Sequence, residues 1–124
     1  MTACRWKCTL LGMLVFFAGA SLFATPPESQ GPKVTVGSKA FTESGILGEM
    51  LALLARHEGA QVEHRSGLTG TQIAWRSLQS GAIDAYVEYT GTIRKEILTG
   101  HDWPALEDLR RALAERGISM SRPL

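Results

Sequence analysis

The sequence predicts an α/β domain with a parallel-rich sheet flanked by helices, and three observations predict it. Between Val34 and Gly100, three strand signals alternate with helix signals, the order that produces parallel strands joined by helical crossovers. Every strand-to-helix junction is built from glycine, hydroxyl and lysine residues: residues 36–43 (VGSKAFTE), 67–72 (GLTGTQ) and 88–92 (EYTGT). Open parallel sheets bind ligands outside the carboxyl ends of their strands, so all three junctions fall on one rim. That is the arrangement of a small-molecule cleft.

The elements follow in order. Residues 1–7 carry Arg5 and Lys7, residues 10–17 are almost wholly apolar, and small residues follow at 18–21 and at Ala24. This describes a secretory signal peptide over 1–24. A retained anchor or a buried helix are the alternatives that the same stretch allows. Cleavage after Ala20 fits the small-x-small rule best, and after Ala24 less well because Leu22 stands three back. Residues 25–32 hold three of the five prolines and read as an extended linker. The domain proper is expected over 33–124.

Residues 33–38 are short, β-branched and glycine-bounded, a first strand. A helix should follow from Thr42 as N-cap, with Glu43 in the first turn where the helix dipole favours a carboxylate. Ile46, Leu47, Met50, Leu51 and Leu54 give it an apolar face, and Gly59 a stop. Residues 61–65 form a weaker second strand. A second helix runs from about 71 to 80, packing Ile73, Ala74 and Leu78 and closing at Gly81. A third strand spans 82–89, with Ile83, Ala85, Val87 and Tyr89 on one face and Asp84, Tyr86 and Glu88 on the other. A short helix over 92–98, an amphipathic helix over 105–116 ending at Gly117, and the start of a strand at 118–120 complete the series.

A chain of 124 residues with 44% apolar content is enough for one compact domain. Cys4 and Cys8 both fall in the leader, so they form neither a metal site nor a disulfide framework. None stands where a bacterial lipid anchor would attach. With Arg5 and Lys7 removed, 11 basic residues face 12 acidic ones, a net charge near −1. No clustered basic patch points to nucleic acid.

The chemistry-bearing motifs are each weighed against a bland reading. Gly37-Ser38-Lys39 lacks the Walker order, so what remains is a lysine beside a helix N-terminus, where free N–H groups attract anions. The loop at 67–71 is too short for a dinucleotide fingerprint and reads as a tight turn with Thr71 as helix cap. Asp84 and Glu88 are about 13 Å apart along a strand, too far for paired glycosidase carboxylates; solvation or loop hydrogen bonding is the expected role. His57, His64 and His101 lack metal-ligand spacing, and no serine lies in a Gly-x-Ser-x-Gly elbow. Neither a metal nor a cofactor is expected. Trp75 reads as packing; Trp103 as packing or ligand contact. Tyr89 is singled out because it ends a parallel strand and its ring offers a cation-binding face.

Residues 36–43 with Ile46-Leu47-Gly48-Glu49, then Gly70-Thr71-Gln72, Ser80-Gly81-Ala82-Ile83-Asp84 and residues 88–92, together resemble the substrate-binding proteins of glycine betaine, choline and carnitine ABC transporters. The resemblance implies one lobe of a type II periplasmic-binding-protein fold, with the second lobe missing because family members are about twice this length. It implies a tyrosine cage for a quaternary ammonium group, with lysine, threonine and arginine for a carboxylate. Lys39 and Thr92 match the carboxylate positions and Tyr89 the cage. Ser44 stands where the family often carries glutamine. The implied role is the non-enzymatic binding component of an importer in the periplasm, with a small quaternary amine, a membrane permease and its ATPase as partners. The alternative is a truncated, exported lobe that acts at most as an interaction module.

Overall fold

A computed structural model describes residues 31–123. The signal peptide expected over 1–24, both cysteines and most of the linker lie outside the described residues. The chain is α/β: β1 (Lys33–Lys39), α1 (Thr42–His57), β2 (Gln61–Leu68), α2 (Thr71–Gln79), β3 (Ala85–Tyr86), α3 (Thr90–Thr92) continued by a π-helical turn (Ile93–Ile97), and α4 (Leu106–Ala114). The three strands form a parallel sheet in the order β2-β1-β3, flanked by helices. Among the described residues no helix is long and apolar enough to cross a membrane.

Central β1 becomes buried towards its carboxyl end, with Val36 wholly inaccessible and Ser38 and Lys39 nearly so. A side chain at Gly37 would meet Ile83 Cδ1 at 2.6 Å and Leu68 Cδ1 at 3.1 Å, so the bare backbone there is what lets the neighbouring side chains close over the strand. The ladder with β2 slips between Gly37 and Lys39. The Lys39 N–H instead donates to the buried Ser44 Oγ at 2.8 Å, which meets the requirement that a buried amide find an acceptor.

Helix α1 starts where the sequence places it, but Phe41 rather than Thr42 is its N-cap, in extended conformation, and the cap makes no side-chain bond. Its buried face also differs from expectation. Ser44, Gly48 and Ala52 are buried, whereas Ile46, Met50, Leu53 and Leu54 are each more than half exposed. Small residues four apart let the helix axis approach the sheet closely, and the larger apolar side chains are turned outward. Beneath Gly48, Ser38 Oγ and His64 Nε2 are 2.9 Å apart, and His64 Nδ1 lies 2.7 Å from Glu49 Oε2. Arg56 donates to the other Glu49 oxygen at 2.9 Å. One polar chain thus fastens β1, β2 and α1 together.

β2 extends three residues beyond the expected Arg65, to Leu68. In α2, Gly70 rather than Thr71 is the N-cap. Trp75 is buried with Ala74, and Ile73 is about half exposed. The third strand is much shorter than the expected 82–89, because side chains and a helix end take its backbone partners. The Ala82 and Ile83 N–H groups donate to Ser77 O, closing α2. Asp84 Oδ2 accepts the Thr35 N–H at 2.6 Å, and Glu88 Oε1 accepts the Tyr89 N–H at 2.9 Å. Residues 118–120, expected as a strand, are not in one. The Ile118 N–H donates to Leu113 O at the end of α4, and Ile118 and Met120 pack on a second core of Trp75, Ile93, Leu98, Leu109, Ala112 and Leu113. Trp103 joins that core and donates from Nε1 to Leu98 O at 2.7 Å.

Two glycines of α1 should respond oppositely to alanine. A Cβ at Gly48 would sit 2.7 Å from His64 Nε2 and 2.8 Å from Ser38 Cβ, so Gly48→Ala should destabilise by about 1–3 kcal/mol in urea denaturation. Gly45 faces open space, and Gly45→Ala should stabilise by about 0.5–1 kcal/mol. The Glu49 carboxyl is held below its ordinary range by its bonds to Arg56 and then His64. Its contribution to stability is therefore complete above the ordinary carboxylate range and fades as pH falls towards the lowered value. Acid titration of Glu49→Gln should show a shallower loss than wild type.

Candidate functional site

The carboxyl ends of β1 and β3 bring residues 39–43 and 88–92 to one rim. The Lys39 ammonium lies 2.7 Å from Glu88 Oε1, with the two side chains only 7% and 5% exposed. Its nitrogen is 5.5 Å from the centre of the Phe41 ring and 5.9 Å from that of Tyr89. Those rings are stacked with centres 6.5 Å apart and planes 24° from parallel, and each is about two-fifths exposed. The rim therefore presents two aromatic faces over a cation that has a carboxylate counter-ion below it. Such ring faces attract organic cations.

The three residues expected at the site are placed as follows. Lys39 and Tyr89 are brought together on one side of the domain. Thr92 is half-buried in the short helix α3, three residues after Tyr89. Tyr89 is the N-cap of that helix and its carbonyl accepts the Ile93 N–H at 3.0 Å. The π-helical turn that follows is a geometry found disproportionately at functional sites.

Two residues at the rim were not singled out by their sequence context. Phe41 was visible only as part of a motif, yet it supplies the second ring. Glu88 was expected to be solvated or to bond a loop; it does bond the Tyr89 N–H, but it is buried and paired with Lys39. The signal was available in principle, since a lysine buried at a strand end needs a counter-ion. Nearby carboxylates also act on the tyrosines. A hydrogen bond to Glu43, then burial, raises the Tyr89 hydroxyl above its ordinary range. Burial, then the Glu88 charge, keeps Tyr86 protonated.

Ser44 has a defined structural task, accepting the Lys39 N–H and so steadying the residue that carries the ammonium. Ser38, His64 and Glu49 stand in the serine–imidazole–carboxylate order of a hydrolase, but the serine is 1% exposed and the backbone of Gly48 closes over it. A substrate carbonyl has no approach to that hydroxyl, and the chain of bonds acts as a fastening. An open depression at the opposite, amino ends of β1 and β2, bordered by Lys33, Thr35 and Glu63, has neither rings nor a buried charge.

Residues 32–121 match the family model described as the substrate binding domain of ABC-type glycine betaine transport system. The glycine betaine-binding protein YehZ of Escherichia coli (strain K12) is 35% identical over 80 residues, which cover 64% of this chain and 25% of that protein. The chain thus spans about a quarter of the length of this relative. A parallel sheet flanked by helices is consistent with part of a type II periplasmic-binding lobe, and with the family match over most of its length the chain belongs to the substrate-binding domain family of ABC-type glycine betaine transport systems.

Proposed function

We propose that the chain contributes to the substrate-binding component of an ABC importer for quaternary-ammonium osmoprotectants, glycine betaine or choline among them. The ligand's ammonium head rests on the Phe41 and Tyr89 rings, and Lys39 and Thr92 hold an acid end where there is one. The ligand is enclosed between this lobe and a second one and delivered to a permease driven by a separate ATPase. Export to the periplasm by the leader over 1–24 completes the reading. No bond is made or broken in this role.

The observation that carries the proposal is the position of the Lys39 nitrogen, within 6 Å of both exposed rings at the carboxyl ends of the strands. A trimethylammonium group has no N–H to donate, so aromatic faces are the recognition device open to it. The second reading, an exported lobe that serves as an interaction module, is favoured by the outward row of Ile46, Met50, Leu53 and Leu54 on α1, since contiguous exposed apolar surface marks contact with other protein.

One wall of a cage binds weakly, because cation–π contacts at exposed sites contribute only about 0.5–1 kcal/mol each. The 124-residue chain alone should therefore show no micromolar affinity for glycine betaine by calorimetry. Micromolar binding would contradict the one-wall geometry. In nuclear magnetic resonance titrations of the chain with choline, Tyr89→Ala should weaken binding by about 0.5–1 kcal/mol. An unchanged affinity, with the fold confirmed by circular dichroism, removes Tyr89 from the site.

A further inference from the structure

We propose that the outward face of α1 is a self-complementary docking surface whose occupant is a second copy of this chain, paired antiparallel about a two-fold axis at Met50. The inference goes beyond the ligand reading and does not depend on it, since it concerns the outer side of α1 rather than the rim.

Ser44, Gly48 and Ala52 form the buried face of α1. Ile46, Met50, Leu53 and Leu54, each more than half exposed, lie on the side of the helix about 180° from it. Glu43, Ile46, Met50, Leu53 and His57 keep the alternating three-and-four spacing of a coiled-coil seam. The sheet takes the small residues, so this spacing does not serve the interior. The stripe is apolar in the middle and polar at its ends, the arrangement of an apolar contact with a polar rim. A helix of 16 residues is about 24 Å long, so one such contact falls below the standard interface size and gives a readily dissociating dimer.

The ends of the stripe decide the occupant. The first turn carries Glu43 and the last carries Arg56 and His57. A parallel second copy would set Glu43 against Glu43. An antiparallel copy sets Glu43 against His57 at both ends, faces Ile46 with Leu54, opposes the two helix dipoles and lets Met50 meet itself on the axis. Glu43 can serve both its own Tyr89 and the second copy's His57, since a carboxylate accepts at about four lone-pair sites. A lipid surface is a poorer match. Glu43, Glu49 and Glu58 flank the stripe, with Arg56 and His57 as the basic side chains, whereas a membrane-seated helix is rich in lysine and arginine.

The test crosslinks the full 124-residue chain, with Cys4→Ser and Cys8→Ser in the background, by a short bis-maleimide. Met50→Cys should crosslink to itself. Ile46→Cys and Leu54→Cys should each do so poorly alone, because antiparallel pairing separates each from its own copy by about 12 Å along the axis. Their equimolar mixture should give about fivefold more dimer, because the same pairing brings the two positions together. In the Met50→Cys chain, Leu53→Glu should cut the yield about tenfold by placing a charge in the seam. Glu43→Lys and His57→Glu should each lower it about twofold, and the two in one chain should restore it, since the exchanged groups still meet. Circular dichroism checks that each variant is folded; if Leu53→Glu unfolds the chain, the charge exchange decides. A folded Met50→Cys chain that does not crosslink, self-crosslinking of Ile46→Cys as strong as that of the mixture, or charge variants without mutual rescue overturns the inference. None of these outcomes bears on ligand binding at the rim.

Discussion

The rim depends on the ion pair between Lys39 and Glu88. Both side chains are almost fully buried, and taking two charges out of water costs several kcal/mol per ion before their attraction is counted. Removing one partner from such a pair typically destabilises by about 3–5 kcal/mol. The pair connects the last residue of the central strand to the residue before Tyr89. Glu88 Oε1 also accepts the Tyr89 N–H, so the position of the ring and the position of the ammonium are fixed by the same oxygen. The aromatic surface is therefore an outcome of the electrostatics beneath it.

A second polar chain leaves β1 from the preceding residue. Ser38, His64, Glu49 and Arg56 form a continuous series of contacts between 2.7 and 2.9 Å. Its middle lies under Gly48, and it fixes the distance between α1 and the sheet. The start of α1 in turn carries Phe41, while Ser44 one turn later secures the Lys39 amide. Small residues in a helix are usually read as a loss of packing; here they permit the close approach that sets the rim's geometry.

Much of the fold was legible in the sequence because its signals are local. Glycine punctuation gave the helix ends, with Gly81 and Gly117 in the left-handed conformation that closes α2 and α4. β-branched residues gave β1, and the alternation of elements gave the parallel sheet and placed Lys39 and Tyr89 on one rim. What was not legible arose from contacts distant in sequence. Period-two patterning over 82–89 could not reveal that the side chains of Asp84 and Glu88 would take up strand amides. The apolar spacing of α1 concealed that its small face, not its large one, lies on the sheet. The partner of Lys39 stands 49 residues away, a pairing that spacing alone cannot reveal.

The division of the interior into two clusters has an optical consequence. Trp75 and Trp103, the tryptophans among the described residues, both belong to the cluster built by α2, the π-helical turn and α4. Emission from these two indoles would therefore follow the loosening of that half, while the half formed by α1, β1 and β2 would melt almost unseen by them. A single smooth fluorescence transition would be silent about whether the two parts come apart together, and backbone amide exchange along β1 would supply the missing half of the answer.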